Sequence, residues 1–309
     1  MTAVLGLDIG GSTTRAVRAE DGRCIAEGRA ASANIRSVGP AEAARQLDAA
    51  LAGLRTDDVA AVCAGAAGAD SPASRAALHD LLAARLPGAR VEVVHDARLI
   101  LSAADLDAGI AVISGTGSAG WGLAPDGREC RAGGFGYLLG DEGSGWWTAR
   151  EAVRHVLRRA DAGEEPDALG AALLAATGSA DPVALFDLFY TRPERGFWAG
   201  FAGVVARLAD PGTMRSAGSA SDAPAADPAA AAILGHAADA LADLAVTVGR
   251  RLEMPGPVVL GGGFAVHEPA LRAAVTERLA AAGTPDVRLI PRDPVGGAVR
   301  LALRLLETS

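Results

Sequence analysis

Residues 4–14 have the sequence VLGLDIGGSTT, an apolar run that enters a turn of Gly, Ser and Thr. Residues 110–118, IAVISGTGS, repeat this pattern, and an Asp-Gly-Arg triplet begins eleven residues after Gly10 and eleven residues after Gly115. An Asp-Gly pair between apolar segments is a strong hairpin signal. Each copy therefore predicts a strand, a phosphate-sized turn, a strand, a tight hairpin and a third strand. The chain as a whole predicts two related halves.

The composition indicates a soluble globular protein and restricts its chemistry. The 309 residues are enough for two domains, and 50% of them are hydrophobic. A net charge of −8, with no arginines clustered among aromatics, disfavours nucleic acid as a partner. All 29 basic residues are arginines, which excludes a Walker-A lysine, a Schiff-base lysine and a pyridoxal phosphate anchor.

The cysteines and the N-terminus indicate where the protein works. Cys24, Cys63 and Cys130 are far apart and form no CxxC pair, which gives little support to a zinc or iron–sulfur site. No basic segment leads into an apolar core at the N-terminus, and no run of about 18 apolar residues occurs. We therefore expect a cytoplasmic protein that is neither exported nor inserted in a membrane.

Hydrophobic periodicity predicts the order βββαβαβα for the first half. Its helices are predicted at 40–54, 72–86 and 97–104, and its later strands at 58–65 and 91–94. The second half repeats the three-strand opening from residue 109 and then departs from the first copy. Helices are predicted at 146–160, 167–176, 182–190, 195–209, 228–252, 268–282 and 294–306, with strands at 258–260 and 287–290. Residues 213–228 have loop composition and are expected to be mobile.

The first turn has the composition of a phosphate-binding loop. Glycine allows positive φ and close approach, so backbone N–H groups and hydroxyls can converge on phosphate oxygens. The residues concerned are Gly10, Gly11, Ser12, Thr13 and Thr14. One copy alone is explained equally well by a β-turn without a ligand. Two copies at matching spacing favour a nucleotide site.

Two aspartates end predicted strands. Asp8 interrupts an apolar run, and a buried carboxylate needs a partner, either Mg²⁺ or a hydroxyl or N–H of the following loop. Asp96 lies where a strand meets a helix. There it serves either as a helix N-cap or as a base that takes a proton from an attacking hydroxyl. The residues alone leave this choice open.

Residues 141–145, DEGSG, precede a helix and have the composition of a capping segment. They also lie in a glycine-dense stretch with four aromatics nearby: Phe135, Tyr137, Trp146 and Trp147. In a chain with 6 Phe, 2 Tyr and 4 Trp, this grouping favours a platform for a polar ligand such as a sugar. Core packing of one or both tryptophans is the alternative.

These motifs together resemble the sugar kinase, Hsp70 and actin superfamily. Within it they resemble the N-acetylglucosamine kinases grouped with benzoyl-CoA reductase-type ATPase subunits, the BadF/BadG/BcrA/BcrD group. The resemblance is carried by GLDIGGSTT at 6–14, HDA at 95–97, SGTGS at 114–118, GGFGYLLGDEGS at 133–144 and GGG at 261–263. The second glycine block and the GDEGS block are its most specific parts.

The resemblance implies a role for each matching residue. It implies a first phosphate loop at residues 10–14, Mg²⁺ near Asp8, and Asp96 as the base. It implies a second phosphate loop at Gly115, Thr116, Gly117 and Ser118, with the adenosine of ATP near Gly261, Gly262, Gly263 and Phe264. It implies sugar contacts at Asn34, Gly68, Gly134, Phe135, Asp96 and Asp141, with residues 65–70 bordering the sugar.

Two residues depart from the family pattern. His95 stands where Asn or Thr is commoner, and Phe135 replaces the Trp of Gly-Gly-Trp-Gly. Both bear on which sugar fits, and neither removes a carboxylate. The dehydratase-activator branch needs cysteines placed to share a cluster across a dimer, and the scattered cysteines here disfavour that role.

The resemblance implies an α/β fold of two ribonuclease H-like, actin-like ATPase domains, with βββαβαβα repeats around an interdomain cleft. We expect one domain at 1–108 with the C-terminal helix 294–309, and a larger one at 109–293 that carries a helical insertion. A homodimer through the inserted helices is expected.

The leading hypothesis is an ATP- and Mg²⁺-dependent kinase that phosphorylates the 6-hydroxyl of N-acetylglucosamine. A glucosamine kinase is the nearest alternative. A sugar-independent ATPase that switches a partner protein is an alternative of a different class. A sugar-sensing regulator is a third, which the lack of a helix-turn-helix extension disfavours.

Overall fold

The structure is a computed structural model, and it describes residues 2–210, 225–291 and 293–307. By its internal contacts the chain divides into two compact units. Unit 1 comprises Met1–Ala108 and Ile290–Ser309, and unit 2 comprises Gly109–Leu289. Most of the segment predicted to be mobile, residues 213–224, lies outside the described residues, and the helix that follows begins at Pro228.

Unit 1 is built on a five-stranded mixed sheet. Its strands are β1 (Ala3–Ile9), β2 (Thr13–Glu20), β3 (Arg23–Ala31), β4 (Val59–Ala66) and β5 (Arg90–His95), in the order β3-β2-β1-β4-β5. The first three strands are antiparallel, and β4 and β5 continue the sheet in parallel with β1. Asp21 and Gly22 have φ of 47° and 79°, as a two-residue type I′ hairpin requires. The predicted three-strand opening is confirmed.

The helices of unit 1 agree closely with the predicted ones, with one addition. They are α1 (Ile35–Val38), α2 (Pro40–Leu51), α3 (Pro72–Arg85) and α4 (Asp96–Ala103). Ser71 caps α3 by accepting the N–H of Ser74, and Pro72 is the first helical residue. The short α1 is not predicted by periodicity, since four residues are too few to show it. Asn34 caps α1 through its side chain.

Unit 2 has a sheet of the same topology. Its strands are β6 (Gly109–Ser114), β7 (Ser118–Leu123), β8 (Glu129–Gly133), β9 (Val258–Gly261) and β10 (Val287–Leu289), in the order β10-β9-β6-β7-β8. As in unit 1, the first three strands are antiparallel and the last two are parallel to the first. The predicted internal repeat is therefore confirmed. The second hairpin is wider than predicted, because Leu123 pairs with Glu129 and Ala124 donates its N–H to Arg128 O.

The helices of unit 2 are α5 (Gly145–Asp161), α6 (Ala168–Thr177), α7 (Pro182–Thr191), α8 (Arg195–Ala199), α9 (Ala202–Ala209), α10 (Pro228–Leu252), α11 (Gly263–His267) and α12 (Pro269–Ala281). The single helix predicted at 195–209 is two helices, with Gly200 and Phe201 between them. The helix predicted at 268–282 begins at Pro269 and follows the separate α11. Proline favours the first position of a new helix, which explains this start.

Helix α10 lies at the core of unit 2. It buries Leu241, Ala245 and Val248 and packs against β6, β7 and β8. Among the described residues, α10 is the one continuous helix that is long and apolar enough to cross a membrane. Helices α6 and α7 reach that length and hydropathy only if they are taken together as one bent span. A core helix has the same length and composition, and the packing of α10 accounts for both.

The C-terminal helix α13 (Pro294–Glu307) belongs to unit 1. It packs on β1 and α4 at distances that leave no room for side chains at two glycines. A Cβ on Gly6 would lie 2.6 Å from Val299 N, and one on Gly297 would lie 2.1 Å from Leu99 O. The hydroxyl of Ser102 also donates to Gly297 O at 3.0 Å. Backbone therefore packs directly against backbone along α13.

Replacing Gly297 with Ala tests this packing. The added methyl group must displace α4 from α13, so we expect Gly297→Ala to lower the free energy of unfolding by about 1–3 kcal/mol. Gly53→Ala is the matched control, because a Cβ at Gly53 meets no atom within 4 Å. Urea unfolding of both variants makes the measurement, and equal stability of the two would contradict the close packing of α13.

Candidate functional site

Hydrogen bonds hold the loop between β1 and β2 in place, and part of the loop is exposed to solvent. Gly10 donates its N–H to Thr13 O at 2.9 Å, and the hydroxyl of Ser32 donates to Gly10 O at 2.7 Å. Gly11, Ser12 and Thr13 are exposed. Thr14, by contrast, is fully buried, and its hydroxyl oxygen accepts the N–H of Ala33 at 2.8 Å. The side chain of Thr14 therefore holds the loop in place, and the exposed part of the loop is the part that can meet a ligand.

Asp8 lies in β1 just before this loop, opposite Arg15 of β2. Burial, first of all, and the negative charge of Asp96 raise the pKa of Asp8 to about 6, although the positive charge of Arg15 opposes both effects. Within the described parts of the chain, the Asp8 carboxylate makes no hydrogen bond or ion pair. Arg15 instead bonds to Glu27 and to Asp293. The sequence suggested an N–H or hydroxyl of the following loop as one partner for Asp8, but among the described residues no hydrogen bond from such a group to Asp8 is found.

Asp96 is the first residue of α4, and His95 is its N-cap. One oxygen of Asp96, Oδ1, accepts the N–H of Ala97 at 2.8 Å and lies 2.9 Å from Nδ1 of His95. The sequence left open whether Asp96 is a helix N-cap or a base. Because His95 is the N-cap of α4, Asp96 is not needed in that role. In the described structure no contact to Oδ2 is found, so that oxygen can accept a proton.

His95 links Asp96 to a second carboxylate. Its Nε2 lies 3.1 Å from Asp70 Oδ1, while its Nδ1 faces Asp96 and lies 3.2 Å from Ala97 N. A neutral ring with its proton on Nε2 donates to Asp70 and accepts from Ala97, and a protonated ring donates to both carboxylates. The imidazole thereby fixes the orientation of Asp96.

Two further predicted residues of unit 1 lie in contact. Asn34 is buried, and its Oδ1 accepts the N–H of Arg36 at 3.1 Å. Gly68 has φ of 86°, and a Cβ there would lie 2.7 Å from Asn34 Oδ1. The guanidinium of Arg36 pairs with Asp70 at 2.7 Å. Arg36 therefore connects Asn34 to Asp70, which in turn contacts His95. Gly68 and Asp70 belong to segment 65–70, which is expected to border a sugar.

In unit 2 the glycine block 115–118 is bonded to the segment that follows β8. The hydroxyl of Ser114 donates to Gly143 O at 2.7 Å, and that of Ser118 donates to Glu142 O at 2.6 Å. Gly145 donates its N–H to Gly115 O at 2.8 Å. The two most specific motifs of the sequence are therefore one connected structure. Thr116 is the exposed residue of the loop, while the Ser118 hydroxyl is occupied.

A cavity of about 330 Å³ opens beside this loop, within the range of small-molecule sites. Gly115, Thr116, Gly263 and Phe264 line it, as do Ala199, Gly200, Gly203, His267 and Glu268. A Cβ on Gly115 would lie 3.6 Å from Gly263 N, at an ordinary van der Waals distance, so these two glycines lie close together in the cavity lining. Of the other glycines predicted here, Gly261 is buried in β9. Gly262 has φ of 87° and approaches Ser114 O, so closely that a Cβ would lie 2.5 Å away.

Asp141 is buried and has φ of 64°, an uncommon conformation for a residue with a side chain. Its Oδ1 accepts the N–H of Ser118 at 3.3 Å, and Nη1 of Arg195 lies 3.8 Å from its Oδ2. Burial raises the pKa of Asp141, against the opposing effects of the Ser118 N–H and the Arg195 charge. A buried carboxylate with unfilled hydrogen-bonding capacity suits a ligand with hydroxyl groups.

The aromatics near Asp141 divide into exposed and packed groups. Phe135 is 69% exposed, and Tyr137 is exposed with its ring 5.2 Å from that of Trp146. Trp146 is buried in the core of unit 2, and Trp147 packs against it. Gly134 has φ of 67°, and its carbonyl accepts a hydrogen bond from Arg131. Both tryptophans are therefore core residues, whereas Phe135 and Tyr137 are the exposed aromatic side chains of this group.

Asp8 of unit 1 has the chemistry of a magnesium ligand, and the cavity of unit 2 has the size of a nucleoside site. Among residues 2–210, 225–291 and 293–307, no group of three His, Cys, Asp or Glu side chains is placed to hold a metal alone. Mg²⁺ typically takes one or two carboxylates and completes its shell with water and phosphates. The unpartnered Asp8 carboxylate supplies one such ligand. The cavity beside Gly115 offers room for a base and ribose.

Three features were not identified from the sequence as parts of the site: the His95 bridge, Arg195 above Tyr137, and Glu268 in the cavity. His95 could have been found, because it differs from the usual residue next to a catalytic-type Asp. Arg195 and Glu268 lie in helical segments that carry no motif. Their positions depend on tertiary packing.

Two sheets of identical topology, each with a glycine loop after its first strand, define the class of actin-like ATPase and sugar kinase folds. A solved structure of a candidate N-acetylglucosamine kinase from Chromobacterium violaceum matches with a TM-score of 0.69 and 27% identity, covering 98% of this chain and 99% of that one. A glucokinase of the ROK family from Streptomyces griseus, solved with glucose and AMPPNP, matches with a TM-score of 0.58 and 20% identity, covering 98% of each chain. The second likeness bears on the fold alone.

The chain belongs to the BadF/BadG/BcrA/BcrD ATPase family, whose model matches residues 5–302. The resemblance inferred from the motifs is thereby confirmed. An N-acetylmuramic acid/N-acetylglucosamine kinase from Clostridium acetobutylicum is 32% identical over 169 residues, covering 52% of this chain and 55% of that protein. An N-acetyl-D-glucosamine kinase from Dictyostelium discoideum is 29% identical over 174 residues, covering 51% and 54%. The chain spans about half the length of these curated relatives.

The raised pKa of Asp8 gives the stability of unit 1 a specific pH dependence. The folded protein holds a proton on Asp8 up to about pH 6, whereas the unfolded chain loses it near 3.8. Stability contributed by this group is therefore full below pH 3.8 and is lost as the pH rises through 6, by at most about 3 kcal/mol. We expect Asp8→Asn to remove this loss.

The measurement is the free energy of unfolding of wild type and Asp8→Asn between pH 4 and 7.5. The difference between them should grow in favour of the variant as the pH rises. Asp80→Asn, which alters an exposed carboxylate of the same unit, serves as control. Parallel pH profiles for wild type and Asp8→Asn would show that Asp8 is not the group responsible.

Proposed function

We propose that this protein is an ATP-dependent amino-sugar kinase that phosphorylates the 6-hydroxyl of N-acetylglucosamine. The observation that carries the proposal is the geometry of Asp96 in a chain of an ATPase family. Its Oδ1 is held by Ala97 and His95, and its Oδ2 is left to accept a proton. The names of the two curated relatives and of the Chromobacterium structure support an amino sugar as the acceptor.

Asp96 takes the proton of the sugar hydroxyl as that oxygen attacks the γ-phosphorus, and the bond from this phosphorus to the bridging oxygen of the β-phosphate breaks to release ADP. A general base must be oriented before it can act, and the imidazole of His95, which lies between Asp70 and Asp96, holds the Oδ1 of Asp96. Positioning and charge neutralisation account for most of the catalysis of phosphoryl transfer. The proposed sugar contacts are Asn34 and Gly68 of unit 1 and Gly134, Phe135 and Asp141 of unit 2.

The glycine loops bind the phosphates of ATP. Backbone N–H groups of residues 11–13 and 116–117 donate to phosphate oxygens, and the cavity lined by Gly263 and Phe264 receives the adenosine. Asp8 would hold Mg²⁺, which when bound would supply neutralisation of the charge on the transferred phosphoryl group. The proposed requirement for Mg²⁺, a cytoplasmic location, a homodimer, and the lack of nucleic-acid or membrane partners stay predictions.

Removing the base tests the proposal directly. Asp96→Asn keeps the size of the side chain but cannot accept the proton, so we expect kcat to fall by about 10²- to 10⁴-fold. Affinity for ADP, measured by calorimetry, should stay within about threefold, because the phosphate and adenosine contacts involve other residues. Asp80→Asn should retain full activity. Normal turnover by Asp96→Asn would refute this assignment of the base.

A substrate screen tests the acceptor. Release of ADP should be stimulated by N-acetylglucosamine more than by glucosamine or glucose, and NMR of the product should show phosphate at carbon 6. Preference for glucosamine would replace the proposed substrate with the free amine. Hydrolysis of ATP that is independent of any sugar would favour an ATPase that switches a partner protein.

Filling the cavity tests the position of the nucleotide. A Cβ at Gly263 meets no atom within 4 Å, so Gly263→Val can be accommodated without a backbone clash. Its side chain occupies space proposed for adenosine, and we expect the affinity for ADP to fall by about tenfold or more. Gly196→Val, also in open space but outside the cavity lining, is the control. Unchanged ADP affinity of Gly263→Val would place adenosine elsewhere.

A further inference from the structure

Glu268 lines the cavity beside the second glycine loop and is half-buried there. It is the N-cap residue of α12, but within the described part of the chain its carboxylate accepts no capping hydrogen bond, makes no other hydrogen bond and forms no ion pair. Removing a carboxylate from water is costly unless donors replace the lost hydration. The oxygens of Glu268 are therefore available to the donors of a ligand in this cavity.

Three basic side chains lie near this carboxylate without bonding to it. Burial raises the pKa of Glu268, and the three oppose this effect with their charges; they are Arg207, His267 and Arg272. Arg272 is bonded instead to two backbone carbonyls, at 3.1 and 2.7 Å. In the structure as described, none of the three donates to Glu268. They favour the ionised carboxylate but leave its oxygens to a ligand.

The backbone of α9 lies directly against the carboxylate. A Cβ on Gly203 would lie 2.7 Å from Oε1 of Glu268 and 3.1 Å from Nη1 of Arg207. Gly203 also lines the cavity, and it has no side chain that would fill the space beside the carboxylate. A ligand in the cavity can therefore reach Glu268.

We infer that Glu268 binds the 2′- and 3′-hydroxyls of the ribose of the nucleotide, and that the protein thereby selects ribonucleotides over 2′-deoxyribonucleotides. This inference rests on the proposed function and deepens it, because it assigns a specificity-determining residue to the proposed nucleotide cavity. A carboxylate has two acceptor oxygens, and two neighbouring hydroxyls offer one donor to each. Such hydrogen bonds to a charged acceptor are about twice as strong as neutral ones.

The amino group of adenine is the other donor of the nucleoside that a carboxylate can accept. Its two N–H bonds share one nitrogen, so it cannot make a straight bond to each carboxylate oxygen as two separate hydroxyls can. Ribose is also the part of the nucleoside attached to the phosphates. Glu268 lines the same cavity as Gly115 and Thr116, which belong to the proposed phosphate loop. Both arguments favour ribose over adenine.

The experiment compares the binding of ADP, 2′-deoxyADP and inosine diphosphate to the full chain by calorimetry. Wild type should bind ADP about tenfold or more tightly than 2′-deoxyADP, because the deoxynucleotide lacks one charge-assisted hydrogen bond. Glu268→Met has a side chain of similar length without the oxygens. It should lose affinity for ADP and bind the two nucleotides within about twofold of each other. Glu268→Gln should keep part of the preference, since its amide oxygen still accepts a hydrogen bond.

Glu277→Met is the matched control. Glu277 is an exposed glutamate of the same helix, α12, and its replacement should leave the preference for ADP over 2′-deoxyADP intact. The inference is wrong if wild type binds these two nucleotides equally. It is also wrong if Glu268→Met weakens both by the same factor, since Glu268 would then have only a structural role.

Inosine diphosphate separates the ribose from the base, because it lacks the amino group of adenine and keeps both hydroxyls. If Glu268→Met removes a preference for ADP over inosine diphosphate and leaves the preference over 2′-deoxyADP unchanged, Glu268 contacts adenine and the inference is overturned. A loss of the ribose preference with the base preference unchanged supports it.

These binding measurements need neither sugar nor turnover, so the two proposals can fail separately. Phosphorylation of N-acetylglucosamine by a protein that binds ADP and 2′-deoxyADP equally would leave the kinase intact and refute the role of Glu268. If no sugar is phosphorylated, the kinase proposal fails, while the nucleotide comparison still decides the role of Glu268. Where both hold, the loss in Glu268→Met should appear in KM for ATP rather than in kcat.

Discussion

Close approach of backbone to backbone is the constraint on which both units depend. In unit 1, α13 contacts β1 through Gly6 and α4 through Gly297, at distances where a Cβ would overlap main-chain atoms. In unit 2, Gly262 brings the end of β9 against the end of β6 in the same way. The contact of Gly262 lies at Ser114, the last residue of β6, where the second glycine loop begins. Glycine is thus needed for the architecture as well as for phosphate approach.

Much of the fold could be predicted, because its signals are local. The repeated apolar run with an Asp-Gly-Arg triplet predicted both three-strand openings, and the Ser71-Pro72 pair predicted the start of α3. The errors occurred where tertiary contacts or short length decide the outcome. The helix predicted across residue 200 is broken, α1 and α11 are too short to show periodicity, and the second hairpin is wider than its Asp-Gly pair suggested.

The sequence predicted which motifs form the candidate site, but it did not predict what each residue does within the structure. Asp8 and Asp96 were identified by their places at strand ends. That Thr14 is buried, that His95 contacts Asp70, and that Arg195 stacks on Tyr137 all depend on contacts between distant segments. No residue pattern records such contacts. A departure from the family pattern, as at His95, was the nearest available signal.

The bonds from Ser114 to Gly143 and from Ser118 to Glu142 join the second glycine loop to the segment that holds Asp141. A shift of either part must strain or break these bonds, so the two parts move together. Under the proposed function, one part binds nucleotide and the other binds sugar. If binding of either ligand shifts its part, the two affinities are thermodynamically linked, and each ligand then changes the affinity for the other by the same factor. Two serine hydroxyls would thereby make the binding of phosphoryl donor and acceptor cooperative.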